Sequence, residues 1–332
     1  MTAGPKAPGW PNRASEQDGT VTILLAIFLV AAIACAAITF DLGNLWQTKR
    51  RLHTASDAAA LAAASDYAAG VAGCTTTAPA YVESNSTGAL TSCTAVPYDS
   101  SFSSGYVTVG ASTSVSLPFA SVFGIASSNV SSRASVQWGP PKGVTGLRPL
   151  GLCLYYPGLS SWLNLPSGPT GPSGDINVPF SNAFGNGCNA SSNWGWLDLS
   201  GSAGGNDIND WLDNGYSGMV PVPSDVNAES GHISSVATHL ATLKASGEHF
   251  PIVMFDSVTG TGSNAIYHVV AAAVAQLVDY KVTGTQAQQY FTFRLYRSPA
   301  EGQCCGTGPN TGAIVSALCS VSDEPKAGEC GL

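Results

Sequence analysis

The longest apolar run in the chain lies close to its N-terminus. Residues 21–40 (VTILLAIFLVAAIACAAITF) include no charged side chain, and a helix of about 20 residues crosses a hydrocarbon core of about 30 Å. Alanine-rich, helix-forming sequence follows, and the glycine at position 70 is suited to end a helix. The pattern predicts one helix over residues 21–69, membrane-spanning in its first part and preceded by a disordered polar tail at residues 1–20.

A cleaved signal peptide is the main alternative to this uncleaved span. Residues 32–34 (Ala-Ile-Ala) resemble a small-residue cleavage site. The apolar run nevertheless continues to Phe40 without a break in the helical pattern. The continued apolar run and the unbroken helical pattern both favour an uncleaved anchor.

The helix beyond the span has an apolar edge formed by Leu45, Leu52 and Leu61. An isolated helix in water is marginally stable without packing partners. We therefore expect the sheet that follows in the chain to cover this edge. The small side chains of residues 58–64 predict a close contact there.

The rest of the chain shows the period-two pattern of strands more often than helical spacing. Apolar positions alternate over residues 107–117, 130–138 and 290–296, which predicts a strand in each segment. Residues 230–244 have helical spacing, whereas the apolar run 267–282 fits either a strand or a buried helix. The fold class predicted is α+β, with a long N-terminal transmembrane helix followed by a β-rich, disulfide-stapled exported body.

A linker is predicted at residues 139–143 (GPPKG), because glycine and proline interrupt regular structure. It separates a small pilin-like β region at 70–138 from a Gly/Trp/Cys-rich exported domain at 150–332. The formal net charge of −8 excludes nucleic acid as a partner, since the chain has no basic excess to neutralise phosphates.

Nine cysteines are unusual for a cytosolic protein, and one of them, Cys35, lies in the apolar run. The other eight cysteines are an even set, which in an exported chain is typical of a disulfide framework, although free thiols remain an alternative. Zinc is disfavoured because no CxxC spacing occurs. The sequence order favours local pairs, with vicinal cysteines taking different partners. The disulfide candidates are Cys74 with Cys93, Cys153 with Cys188, and a C-terminal set of Cys304, Cys305, Cys319 and Cys330.

The sequence contains conflicting evidence on the orientation of the span. Lys49, Arg50 and Arg51 follow the span, and the positive-inside rule would place them in the cytoplasm. That orientation would leave eight cysteines in a reducing compartment. We give the cysteines more weight and expect an inner-membrane protein with its C-terminal body outside the cytoplasm.

Several short motifs occur together and in order around the span. A glycine precedes the apolar run, and DLG (41–43), RRL (50–52) and ASDAAALAAA (55–64) follow it. This combination, over about residues 17–69, resembles the TadE/TadG-like proteins of tight-adherence (Flp) pilus assembly. The resemblance rests on Gly19, Asp41, Gly43, Arg51, Leu52, Asp57, Ala58, Ala59 and Leu61.

The resemblance implies a bacterial, non-enzymatic, single-pass membrane protein of Flp pilus assembly or associated secretion, with assembly proteins as partners. It supplies no catalytic residue. Two positions depart from the family pattern: His53 replaces the usual Gln, and Leu24 stands where processed prepilins have Glu. The second departure places the chain nearer to the TadG side of the family.

The alternative function is a membrane-anchored, carbohydrate-binding envelope protein or hydrolase. Tryptophans 162, 194, 196 and 211 stand among Gly, Asn and Asp residues, as in a sugar-binding surface, but they also suit the core of a loop-rich domain. Asp207 and Asp210 are the carboxylate pair that a hydrolase would use. HExxH, GxSxG and P-loop motifs are absent from the sequence. No catalytic, cofactor-binding or metal-binding residue is therefore predicted, and no cofactor.

Overall fold

The computed structural model describes residues 18–98, 104–164, 169, 171–181, 187–188, 190, 192–202, 204–229 and 236–319. Residues 1–17 of the predicted tail lie outside this set. The first helix, which begins three residues earlier than the apolar run, is far longer than the other helices described. The α-helices are α1 (Asp18–Ala68), α2 (Thr77–Asn85), α3 (Pro157–Leu163), α4 (Gly205–Asn214) and α5 (Val236–Ser246).

Most of the remaining described residues belong to strands, which confirms the β-rich body. The predicted strands at 107–117, 130–138 and 290–296 are β2, β3 and β12. The strands are β1 (Ala89–Pro97), β2 (Gly105–Ser116), β3 (Ser127–Gly139), β4 (Gly143–Val144), β5 (Leu150–Cys153), β6 (Ile176–Pro179), β7 (Trp194–Asp198), β8 (Val220–Pro221), β9 (Ser224–Ala228), β10 (His249–Thr259), β11 (Ile266–Lys281), β12 (Tyr290–Tyr296), β13 (Ser298–Pro299), β14 (Gly302–Gln303) and β15 (Ala313–Leu318).

The chain divides into two compact units. We call residues 1–51 and 113–130 the anchor unit, and residues 52–112 and 131–332 the body. Helix α1 contributes its first part to the anchor unit and residues 52–68 to the body.

The largest sheet lies in the body and has the order β10-β5-β7-β9-β11-β12-β6, with an additional pairing of β10 with β11. The additional pairing closes a ring of five strands, so these strands leave no open edge among themselves. Helices α3, α4 and α5 add apolar side chains such as Leu159, Leu212 and Leu240 to the same hydrophobic core.

The apolar run 267–282, for which both a strand and a buried helix were plausible, is strand β11. It pairs with β9, β10 and β12 along its length. Its central residues 271–275 are all buried, which explains the continuous apolar sequence: side chains on both faces of the strand are covered. The predicted helix at 230–244 is α5, which begins at Val236, and residues 230–235 lie outside the described set.

A second sheet has the order β1-β2-β3-β15-β13. Its register places Val315 of the late strand β15 opposite Gly139 at the end of β3. Residues 139–141 and 143 of the predicted linker are buried, and Gly143 pairs with Pro221 and Gln303. This segment is held by strands that come much later in the chain, rather than lying free between two regions.

Candidate functional site

The first part of α1 exposes an unbroken apolar surface. Its side chains between Val21 and Phe40 are largely accessible, with Phe28 72% exposed. Among the described residues, α1 is the one helix that is long and apolar enough to cross a membrane. Because a contiguous apolar surface of this size is unfavourable in water, lipid or a protein partner is needed to cover it.

Asp41 lies at the end of the apolar run and fixes a second segment of the anchor unit. Its side chain is 5% exposed, and Oδ2 accepts a hydrogen bond of 2.7 Å from the backbone N–H of Ala120. Ala120 opens a short 3₁₀ turn, Ala120–Phe123. Beside this bond, the rings of Phe40 and Phe119 meet edge to face at 5.6 Å. The family-motif aspartate is therefore a structural acceptor that ties a loop to the helix.

That loop connects β2 to β3, and we call residues 117–126 (LPFASVFGIA) the tip. Val122 and Phe123 are each 82% exposed, and Phe119 and Ile125 are also exposed. The sequence analysis did not identify this exposed apolar segment. The signal was present, since ten residues without a charge occupy a strand connection where polar residues are usual.

The second part of α1, by contrast, is buried within the body. One face of this part of the helix, formed mostly by small side chains, is fully covered, and Ala59 on this face has no exposed surface. A Cβ added at Gly73 would lie 2.7 Å from Cα of Ala63, so the following backbone runs directly against the helix. The buried members of this face are Leu52, Ala55, Ser56, Ala59, Ala60, Ala63, Ala64 and Ala68.

The C-terminal end of α1 is capped in two ways. Gly70 has φ of +82°, and the N–H of Val71 donates to the carbonyl of Asp66 at 2.7 Å, the arrangement of a glycine-terminated helix end. The predicted stop at Gly70 is confirmed. In addition, the buried guanidinium of Arg297 donates to the carbonyls of Tyr67 and Ala68. This positive charge also complements the negative end of the helix dipole.

The expected apolar edge of α1 is divided between the two units. Leu45 belongs to the anchor unit and is partly buried there. In the body, Leu52 is fully buried beside Gly88, directly before β1, and Leu61 is partly buried. Near the helix end, Tyr67 stacks on Trp138 of β3 at 5.5 Å. In the body, the helix therefore contacts β3 through Tyr67 and the residue before β1 through Leu52.

The other motif positions have different surroundings. Gly43 has open space around it, and Arg51 is exposed. Gly19 lies in the first turn of α1, and Ala58 is partly buried. Burial raises the pKa of the Asp57 carboxyl, and the charge of His53 one turn earlier opposes that rise.

Two of the expected disulfides are present as predicted. Cys74 pairs with Cys93, and Cys153 pairs with Cys188, with Cα–Cα distances of 5.5 and 6.0 Å. Cys35, on the exposed apolar surface, is a free thiol.

The expectation that Cys304 and Cys305 take different partners is wrong. Their two sulfurs are bonded to each other. The reason is local: both side chains face the same strand, with the sulfurs 3.7 and 4.0 Å from the carbonyl oxygen of Val315 in β15. Cys319 is also disulfide-bonded, and Cys330 lies outside the described residues.

The tryptophans of the body are mainly packing residues. Trp194 and Trp211 are buried, and Trp194 contacts Phe180 and Phe291 edge to face at 4.8 and 4.5 Å. Trp196 is partly exposed and lines, with Trp194, a cavity of about 720 Å³. The core interpretation is thus confirmed for Trp194 and Trp211.

The carboxylate pair considered for hydrolysis is engaged in local structure. Asp207 accepts a hydrogen bond of 2.8 Å from the backbone N–H that precedes α4. Asp210 accepts one of 2.7 Å from the side-chain amide of Asn214, one turn later. In the part of the chain that the structure describes, no three His, Cys, Asp or Glu side chains are placed to hold a metal ion.

The family of the helix was identified by comparison with known proteins. Residues 19–66 match the family model described as Putative Flp pilus-assembly TadE/G-like. No curated protein and no solved structure matches the chain. The match lies entirely within α1 and includes both its exposed apolar part and its buried alanine-rich part. The chain therefore carries an N-terminal TadE/G-like domain of the Flp pilus-assembly family at residues 19–66.

Proposed function

We propose that this protein is a non-enzymatic, single-pass membrane component of Flp/Tad-type pilus assembly or its associated secretion. In this proposal α1 crosses the inner membrane and holds the disulfide-stapled body outside the cytoplasm. The observation that carries the proposal is the position of the family match: residues 19–66 lie on one continuous helix, exposed and apolar over residues 21–40 and buried in the body from Leu52 onward.

The continuity of α1 bears on how the anchor works. A flexible linker would let the body move freely above the membrane. Here the chain leaves the apolar run as helix and remains helix until Ala68, with only a few turns between Phe40 and the buried Leu52. This supports a helical connection, rather than an unstructured linker, between the proposed span and the body.

The disulfides support the orientation of the proposed anchor. Bonds such as Cys74–Cys93 and Cys153–Cys188 persist in oxidising compartments. The basic cluster Lys49–Arg50–Arg51 favours the opposite orientation. Asp41 and two further helical turns separate that cluster from the apolar run, which weakens its influence on topology.

A genetic experiment tests the proposal. In a bacterium that carries this gene, deletion should abolish or sharply reduce Flp pili seen by electron microscopy, and the full chain should restore them. A body released behind a cleavable signal, without residues 18–40, should fold and form its disulfides but fail to restore pili. Normal pili in the deletion strain would overturn the assembly role, and rescue by the released body would overturn the anchor.

The same strains separate the proposal from an envelope carbohydrate-binding protein. For that alternative, the deletion strain makes normal pili, and the purified body binds envelope polysaccharide. Substituting Trp196, the partly exposed tryptophan of the cavity, would then weaken that binding.

A further inference from the structure

The tip of the anchor unit is an apolar surface that the proposed function leaves unexplained. Val122 and Phe123 are more exposed than any large hydrophobic side chain between Val21 and Phe40, and Phe119 and Ile125 lie on either side of them. The ten residues of the tip include no charged side chain. Contiguous exposed apolar patches commonly mark sites of interaction with a protein, a ligand or a membrane.

The tip is fixed at one level along α1. The hydrogen bond from the backbone N–H of Ala120 to Asp41 and the ring contact of Phe119 with Phe40 both fall at the last residues of the apolar run. Twenty helical residues from Val21 extend about 30 Å, the thickness of a hydrocarbon core. When α1 spans a bilayer, Phe40 and Asp41 lie at the boundary between hydrocarbon and headgroups, and the tip lies beside them.

The polarity of the surrounding hairpin changes sharply away from the tip. On the β2 side, the exposed residues that precede it are Ser114 and Ser116. On the β3 side they are Ser127 and Asn129. The apolar surface is thus confined to the connection itself and ends where the strands begin. A bilayer surface has the same profile, apolar below and polar above.

We propose that residues 117–126 insert into the interfacial layer of the membrane leaflet on the body side, as a second, shallow contact beside the spanning helix. The occupant of the apolar tip is phospholipid. Asp41 acts as the positioning residue, because its buried carboxylate holds the tip at the correct depth. This inference rests on the membrane anchor in the proposed function.

The depth of single probes in the reconstituted full-length protein tests the inference. In a Cys35→Ala background, Val122→Cys is labelled with an environment-sensitive fluorophore, and Ser114→Cys on the same hairpin is the matched control. Both positions are exposed, so neither label disturbs the packing. A third sample carries the fluorophore on the native Cys35. The vesicles contain phosphatidylethanolamine and phosphatidylglycerol, with a nitroxide quencher placed either near the headgroup or deep in the acyl chain.

The expected result is a blue-shifted emission for the probe at position 122, quenched several-fold more by the shallow nitroxide than the probe at 114. The Cys35 probe should respond best to the deep nitroxide. Equal, weak quenching at 122 and 114, with Cys35 still quenched, would overturn the inference and leave the anchor intact. A probe at 122 that is shielded only in native membranes would identify a protein as the occupant and also overturn it. An unquenched Cys35 would refute the membrane anchor itself.

Discussion

Substitution of Ala59 tests whether the second part of α1 is a core element of the body. Ala59 has no exposed surface, and the backbone at Gly73 contacts the same face of the helix at Ala63. Ala59→Leu would force three additional carbon atoms into a packed contact. Overpacking of this kind costs about 1–3 kcal/mol, whereas the difference in helix propensity between Ala and Leu is only a few tenths of a kcal/mol.

The assay is thermal unfolding of the detergent-solubilised full chain, followed by tryptophan fluorescence of the body and by limited proteolysis. A domain of about 150–250 residues loses about 2–4 °C of melting temperature per kcal/mol, so Ala59→Leu should melt several degrees lower and be cleaved sooner. Ala62→Leu, at a partly exposed position of the same helix, is the matched control with a smaller effect. If Ala59→Leu melts and resists protease like the native protein, residues 52–68 are not part of the core.

Three further predictions concern the body. Arg297→Leu removes the donor to the buried carbonyl of Ala68 at the end of α1 and should lower the free energy of unfolding by about 1–3 kcal/mol in urea titrations. Replacing Cys153 and Cys188 together by Ser opens a loop with a sequence separation of 35 and should cost about 3–4 kcal/mol in the same assay. Hydrogen bonding to Lys244 lowers the pKa of Asp279, so this pair stabilises the fold above the ordinary pKa of Asp. That contribution is lost as the pH falls through the lowered pKa, and Asp279→Asn should lose less stability on acidification.

Each of these predictions has a control in the same molecule. Arg294→Leu removes an exposed arginine that pairs with Asp175, and it should change stability far less than the loss of Arg297. Cys35→Ser removes a free thiol and should leave the unfolding of the body unchanged. Equal effects of the two arginine substitutions, no effect of the disulfide removal, or identical acid sensitivity with and without Asp279 would contradict the respective prediction.

The elements that the sequence predicted correctly are those whose signal is local. The apolar run marked the first part of α1, Gly70 marked its end, and alternation over residues 290–296 marked β12. The pairings Cys74–Cys93 and Cys153–Cys188 were also accessible, because each closes a short segment of chain.

The features that were missed depend on distant parts of the chain. Arg297 donates to a carbonyl 229 residues away, and β15 joins β3 across most of the body; neither partner can be read from local pattern. For the run 267–282, the choice between strand and helix required neighbouring strands on both sides. The apolar composition of the tip was visible in the sequence, but its position beside the end of the apolar run follows only from the contacts of Asp41 and Phe40.

The most direct test of the central claim is the topology of the chain in its own membrane. A reporter enzyme that is active only after export is fused after Leu332, and the same chain is fused to a reporter that fluoresces only in the cytoplasm. The account predicts a membrane fraction that resists carbonate extraction, with an active exported reporter and no cytoplasmic fluorescence. If the export reporter is inactive and the cytoplasmic reporter is fluorescent, the disulfide-bonded body lies in the cytoplasm, and this result would contradict the account.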